Sequence, residues 1–403
     1  MKKEDNFDFE EFEKDAIEKL KEGKPLSGTE GIFTPLIKRI IEASLEGELD
    51  SHLEDSDSNN RRNGRMGKSL KTSLGNVDIN TPRDRDSSFD PQIVKKRQRV
   101  LNEELDRKII SMYGLGLSYS DIRKHLQEMY GLETSEGTIT SVTDRVIEDV
   151  KSWQQRPLEA VYPVVWLDAI HFKVKENNKI VNKAVYCVIG VNREGYKDIL
   201  GMYLGHSEGA SFWLGVLSDL KSRGIEDILI ACIDNLKGFA EAIEASFPDT
   251  DVQLCVVHQV RNTMRFVPYK ESKAVIRDMK KIYKAPNIEA SEQALDEFCQ
   301  KWESKYPHTT KSWQTNWERL TNFYKYPPEI RKLIYTTNVI ENFHGRLRKV
   351  TKTKRIFSSD MALMKLLYLI QKQFVLDNWQ TPMFAWRTIQ SQLSIIFDER
   401  FSR

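Results

Sequence analysis

The sequence predicts an α/β protein: a sheet of mixed strand pairing, preceded by a mainly helical region. Three observations predict it. Five apolar, strand-length runs crowd between Pro163 and Val257, helix-period segments interrupt them, and helical periodicity fills the chain on either side. The runs are PVVWLDAIHFKV, AVYCVIGV, DILGMYLG, DILIACID and the shorter VQLCVV. A helix from Gly209 to Ser222 separates the third from the fourth, and another, Lys237 to Phe247, follows the fourth. After His258 the pattern is helical, with Trp302, Trp313 and Trp317 on it, and a long helix is predicted from Pro328 to Val350.

Upstream, residues 1–22 carry nine acids against five lysines, a short amphipathic helix or a loose tail. A helix is predicted from Thr34 to Leu53, with Leu36, Ile37, Ile40, Ile41, Leu45 and Leu49 near i, i+4, i+8 spacing. The polar stretch 54–73 then changes sign: after Asp57 come Arg61, Arg62, Arg65, Lys68 and Lys71, with no acid before Asp78. The stretch TSLGNVDINTPRDRDSSFDP reads as a short β-hairpin followed by a loop. Residues 103–150 form three helix-period segments. The second opens on a capping box, Ser118-x-x-Asp121, turns Ile122, Leu126 and Met129 inward and stops at Gly131. The third starts near Thr134 or Ser135 with Ile139, Val142 and Val146 on one face. Such a pair suits a helix-turn-helix, whose second helix can enter a major groove, and equally a plain three-helix bundle.

Composition narrows the function classes. The chain has 403 residues, 40% of them hydrophobic, and a mean hydropathy of −0.52, values that suit a soluble globular protein of more than one domain. Basic and acidic residues number 61 and 59, a net charge of +2, so a nucleic-acid partner has to be argued from local clusters. No apolar run is long enough for a membrane helix, and the start MKKEDNFDFEEFEKD is too acidic for a signal or transit peptide. Cys187, Cys232, Cys255 and Cys299 read as reduced cytosolic thiols.

The candidates for chemistry are carboxylates. Asp168 ends the run VVWL and Asp234 ends the run ILIACI; both strands read as buried, where an unpaired carboxylate is costly. Adjacent strands would bring the two together, and a divalent cation is the usual remedy for such repulsion. Either aspartate alone also suits a turn or the cap of a following helix. The third candidate, Glu341, is expected mid-helix in YTTNVIENFHGRLRKVTKTKR, one turn from Asn338 and beside Asn342. Arg346, Arg348, Lys349, Lys352, Lys354 and Arg355 follow it, six basic residues in ten positions. That run fits a solvated helix end, favoured by the dipole, or a phosphate-tracking surface beside a metal site. A further basic stretch runs from Arg261 to Lys284. Cys255-x-x-His258 has the spacing of half a zinc site but no second pair, so no structural zinc is expected.

Taken in order, Asp168, Asp234, Cys255-x-x-His258 and Glu341 resemble the Mutator-type transposases of bacterial insertion sequences. The blocks WLDAIHFKV, IDNLKGFAEAI, FPDTDVQLCVVHQVRN and YTTNVIENFHGRLRKVTKTK carry the resemblance, and RRNGRMGKSLKT with VDINTPRDRDSSFDP is similar to the family's N-terminal region. Asn235 departs from the family, where glycine is more common, and His344 replaces another polar residue. The resemblance implies an RNase H-like mixed sheet with an all-helical insertion, preceded by an α-helical region containing a helix-turn-helix. Asp168, Asp234 and Glu341 would form the catalytic triad and hold two Mg²⁺ ions, with Mn²⁺ a substitute. Cys255, His258, Asn338 and Asn342 would support that shell. The basic residues 61–71 and 346–355 named above would contact DNA.

The implied organisation is an acidic helical region (1–57), a basic stretch with a β-hairpin (58–102), a helix-turn-helix unit (103–155), a catalytic domain (156–258 and 328–395) and a helical insertion (259–327). The implied activity is metal-dependent cleavage at terminal inverted repeats and strand transfer to target DNA. It would be carried out in the cytoplasm, at the nucleoid, by a homo-oligomer that is at least a dimer on DNA. Two other classes stay open on the sequence: a catalytically silent, transposase-derived regulator, and an RNase H-like nuclease that cuts without joining.

Overall fold

The structure, a computed structural model, describes residues 8–26, 31–55, 60–72, 75–96, 103–205, 209–236, 238–335 and 338–402. The chain divides into two compact units, Met1–Val146 and Ile147–Arg403.

In the first unit, α1 (Phe9–Lys21) starts where the Asp8 carboxylate accepts from the amides of Glu10 and Glu11. Helix α2 (Thr34–Glu54) buries Ile41, Leu45 and Leu49 on one stripe, while Ile40, read from sequence as part of it, is exposed. The hairpin expected from Thr72 onward starts ten residues earlier, inside the basic stretch: β1 (Arg62–Thr72) pairs antiparallel with β2 (Gly75–Asp84), Leu70 opposite Val77 and Lys68 opposite Ile79. Its alternation puts Leu70 on the same face as Val77 and Ile79, and these pack with Ile41, Leu45 and Val94 into one core. The rim is polar. Glu42 accepts from the Asn80 amide at 2.7 Å, Arg65 meets Glu46 at 2.9 Å, and Arg62 pairs with both Glu46 and Asp50. Asp84, 2% exposed, accepts from Asn60 Nδ2 (2.8 Å), the Ser88 amide (2.9 Å) and Ser88 Oγ (2.8 Å).

Helices α3 (Glu103–Gly114), α4 (Tyr119–Tyr130) and α5 (Glu136–Asp144) follow. The expected capping box forms at Ser118 and Asp121, and Gly131, left-handed at φ 62°, ends α4. Ile122 and Leu126 are buried, but Met129 lies 61% exposed on the solvent side. Ser135 caps α5 through the Thr138 amide at 3.1 Å, and Ile139 and Val142 are buried. Arg145, just past α5, is ion-paired to Asp106 of α3.

Helix α6 (Val146–Gln155) leads into β3 (Val161–Glu176), β4 (Lys179–Val191), β5 (Lys197–Gly205), α7 (Ala210–Ser222), β6 (Asp227–Ile233), α8 (Phe239–Ser246) and β7 (Asp251–Leu254). Lys237, the expected start of α8, lies outside the described residues. The sheet order is β5-β4-β3-β6-β7, antiparallel through β5, β4 and β3 and parallel from β3 to β7, so the chain has a mixed five-stranded sheet. Strand β3 does not end at Asp168. Ile170, Phe172 and Val174 stay buried while His171, Lys173 and Lys175 face out, an alternation that continues the strand into a hairpin turned at Asn177 and Asn178, both with positive φ. Helix α7 packs on α8 through a stacked Trp213–Phe239 pair with centroids 3.6 Å apart.

Beyond β7 come α9 (Val256–Met264), α10 (Tyr269–Tyr283), α11 (Ile288–Trp302), α12 (Pro307–Thr315), α13 (Trp317–Thr321), α14 (Pro328–Ile334), α15 (Asn338–Thr351), α16 (Asp360–Asn378), α17 (Trp386–Phe397) and α18 (Glu399–Ser402). Buried Asp278 ties α10 to α11 by accepting from Lys301 Nζ (2.7 Å) and Trp302 Nε1 (3.1 Å). The long helix expected from Pro328 to Val350 is two helices, α14 and α15. The threonines at 336 and 337, weak helix formers, fall between them in sequence.

Burial alone would raise the Asp84 carboxyl, but hydrogen bonds from Asn60, Ser88 and the Phe89 amide hold it well below the usual carboxylate range. A depressed pKa stabilises the fold above the unfolded value of about 3.9 and loses that stabilisation as pH falls towards the folded value. Asp84→Ala is therefore expected to cost about 1–3 kcal/mol at neutral pH, a difference that shrinks below about pH 4. Urea unfolding of both proteins across that range checks it.

Candidate active site

Strand register builds the site. In the parallel half of the sheet, Leu167 pairs with Ile233 and Ile233 with Leu254, the last rungs of both ladders. The next residues are Asp168, inside β3, and Asp234 and Cys255, just past β6 and β7, so two carboxylates and a thiol form a row where the parallel ladders end. Crevices at that edge of an α/β sheet are where ligands bind. Asp168 is 6% exposed.

Two helices bring the remaining groups. Cys255 is the N-cap of α9, its Sγ accepting from the His258 amide at 3.5 Å, which fixes His258 one turn on, with Nδ1 paired to Asp234. Arg261, a further turn along, reaches His258 Nε2 with Nη1 (3.2 Å) and Glu341 with Nη2 (2.7 Å). Glu341 lies in the first turn of α15, not mid-helix as expected; there a carboxylate is favoured by the free amides of the helix start. His344, three residues on and 1% exposed, places Nδ1 3.4 Å from Asp168 Oδ2. All three carboxylates line one cavity of about 1050 Å³, together with Arg261, Arg265 and Arg348.

Each carboxylate thus has a basic partner, yet the two aspartates differ. Burial would raise Asp168, but the hydrogen bond and charge of His344 outweigh it and hold the carboxyl below its usual range. Asp234 is pushed up to about 6, by burial first and by the charge of Asp168, against the pull of His258. Burial would lower His258, but its hydrogen bond to Asp234, then that to Cys255, push it up to about 10. The oxygen donors Asp168, Asp234 and Glu341 suit a hard divalent cation; Cys255 and His258 suit a softer one.

The other residues singled out in the sequence are distributed as follows. Asn342 lines the cavity, whereas Asn338 is exposed at the start of α15. Arg348 lines the cavity and, with Lys352, an adjoining hollow of about 570 Å³ along Ala169–Phe172 of β3. Lys349 and Arg355 are exposed and Arg346 is half-buried. Lys354 is half-buried, its ammonium pushed down to about 8 by burial and by the charge of Lys365. In the first unit Arg61 is exposed, Arg62 and Arg65 pair with acids of α2, Lys68 donates to the Lys95 carbonyl at 2.8 Å, and Lys71 donates to the Glu133 carbonyl. Arg261 and His344 were not recognised as site residues. The legible signal was spacing, since each lies three residues beyond a candidate, His258 and Glu341.

With this arrangement in view, comparison with known proteins assigns the class. The family model described as Transposase, Mutator family, matches residues 9–382, and the chain belongs to that family. It is 41% identical over 397 residues to the probable transposase for insertion sequence element ISRM3-like of Sinorhizobium fredii, covering 96% of this chain and 99% of that one. It is equally similar, at 41% over 397 residues and the same coverage, to the transposase for insertion sequence element ISRM3 of Rhizobium meliloti. A solved chain in a Drosophila P element transposase strand transfer complex aligns at 10% identity over 74% of this chain and 85% of that one, with a TM-score of 0.28, below the level at which a shared fold follows. Among the described residues, no helix is long and apolar enough to cross a membrane.

Because the folded pKa of His258 lies above its ordinary 6.5, its pairing with ionised Asp234 stabilises the fold most near pH 6.5, above the Asp234 value of about 6, and is lost as pH rises through about 10. The stability difference between the wild type and His258→Asn is expected to shrink steadily across that interval. Chemical unfolding at several pH values between the two measures it.

Proposed function

We propose that this chain is the transposase of an insertion sequence, which binds the terminal inverted repeats of its element and catalyses Mg²⁺-dependent strand cleavage and strand transfer. The observation that carries the reading is the meeting of Asp168, Asp234 and Glu341 on one cavity beside Arg261, Arg265 and Arg348. The donor set fits the metal: two neighbouring buried aspartates, one with its pKa pushed up by burial and by the other's charge, gain most from a hard cation. Asp168, Asp234 and Glu341 would hold it, and bound Mg²⁺ supplies activation of the attacking oxygen and stabilisation of the leaving one.

The chain's own residues do the rest. His344 and His258 orient the two aspartates, and Arg261 holds Glu341 towards them. Arg348 and Lys352 track the phosphates of a strand entering along β3. We read the second unit as an RNase H-like catalytic domain (156–258 and 328–395) with a helical insertion (259–327). We read 103–155 as a helix-turn-helix unit that recognises the repeats, behind the regions 1–57 and 58–102. Two ends have to be synapsed before joining, so the working form is at least a dimer on DNA, acting at the nucleoid in the cytoplasm.

Incubation with a labelled transposon-end duplex, a target plasmid and Mg²⁺ tests the reading. Joined product is expected from the wild type and none from Asp168→Ala, Asp234→Ala or Glu341→Ala, with DNA binding retained in all three. Cleavage without joining would assign a nuclease; binding with neither would assign a regulator. A variant that still cuts would remove its residue from the site.

The double change Arg348→Ala, Lys352→Ala is expected to weaken DNA binding whatever the sequence and to flatten the slope of log affinity against log salt by about 2. Binding titrations at several salt concentrations read that slope; an unchanged slope would clear this face of phosphate contacts.

A further inference from the structure

We propose that Asp234, Cys255 and His258 form a second metal site, one that takes a borderline-soft divalent cation of the Zn²⁺ type and thereby withdraws Asp234 from the catalytic set. Cys255-x-x-His258 alone is half a zinc site. The fold supplies the third ligand, because the register of β6 and β7 brings Asp234 beside Cys255. One ligand atom from each residue lies within 4.8 Å of the other two, and this is the one such trio of acid, thiol and imidazole among the described residues. Donors around tetrahedral zinc, bound at about 2.0–2.3 Å, stand roughly 3.3–3.8 Å apart, so small side-chain rotations close the trio on an ion.

The donor chemistry separates this site from the hard one. Thiolate and imidazole favour Zn²⁺ or Co²⁺ over Mg²⁺, which demands oxygen ligands and keeps its waters. Three protein ligands leave the fourth position to water. Binding releases two protons, from the thiol of Cys255 and from Nδ1 of His258, and leaves a neutral imidazole with Nδ1 on the metal. Nε2 keeps its hydrogen, and Arg261 keeps its 2.7 Å contact with Glu341. Metal binding here rests on geometry and donor type. Its consequence, inhibition of strand transfer, rests on the proposed role of Asp234.

Cobalt as a probe separates the two. Full-length protein in excess Mg²⁺ is titrated with Co²⁺ and followed by absorption. A single ion per chain is expected, with a thiolate-to-cobalt charge-transfer band that Zn²⁺ bleaches. Cys255→Ser is expected to lose the band and to bind cobalt about tenfold or more weakly. Serine is a good N-cap, so α9 is retained, which circular dichroism checks. Cys299→Ser serves as the control and keeps the band. Absence of the band, or its persistence in Cys255→Ser, would overturn the site.

The second arm compares strand-transfer rates with and without zinc at the concentration that bleaches cobalt. About a tenfold loss is expected in the wild type and none relative to its own zinc-free rate in Cys255→Ser. Equal inhibition of both proteins would overturn the inhibitory role. A chain that shows the cobalt band but never joins DNA would overturn the proposed function while supporting the site.

Discussion

The pairing register of β3, β6 and β7 is the constraint on which the rest of the second unit depends. Leu167, Ile233 and Leu254 sit on one rung, so the next residues, Asp168, Asp234 and Cys255, stand in a row by geometry alone. That register is held by burial. Ile230, Ala231, Cys232 and Ile233 are all fully buried, as in a parallel strand covered on both faces, and a slip of one residue would turn every side chain of β6 over. The antiparallel partner β4 fixes β3 from the other side, with Cys187 opposite Asp168. The two aspartates are thus neighbours at the cost of mutual repulsion, and the helices that follow are arranged to relieve it.

Much of this was legible in the sequence because it is local. The strand runs, the helix from Thr34, the capping box at Ser118 and the stop at Gly131 depend on residues within a turn or two of one another. The aspartate pair was legible for a different reason: a carboxylate at the end of a buried run demands a partner, and two such runs suggest each other. What escaped was set by long-range packing. Ile40 and Met129 fit a helical stripe but are 57% and 61% exposed. The strand character of the basic stretch 62–72 follows from pairing with β2, and apolar composition alone could not reveal it. Arg261 and His344 acquire their roles only because α9 and α15 bring their second turns to one cavity.

The basic residues divide by what already holds them. Arg62 and Arg65 are engaged by Glu46 and Asp50, and Lys68 and Lys71 by backbone carbonyls. Exposed ion pairs are worth only about 0–1 kcal/mol each, so a phosphate can displace them at small cost; the pairs set a threshold and do not block contact. Arg348 and Lys352 instead face open space along β3. With a net charge of +2 there is little global attraction to a polyanion, and orientation on one has to come from these local surfaces.

The three carboxylates themselves are balanced within the protein: Asp168 by His344, Asp234 by His258, and Glu341 by Arg261. These partners offset part of the cost of placing three carboxylates on one cavity. The compensation is uneven. His344 is itself buried and holds Asp168 ionised, whereas Asp234, which also feels Asp168, is raised to about 6. Asp234 is therefore the least settled of the three and the one whose electrostatic environment a divalent ion would improve most. It is also the one shared between the oxygen donors and the Cys255–His258 pair. On the proposed reading, which kind of ion engages Asp234 depends on donor softness, because a hard and a soft ion would compete for the same carboxylate.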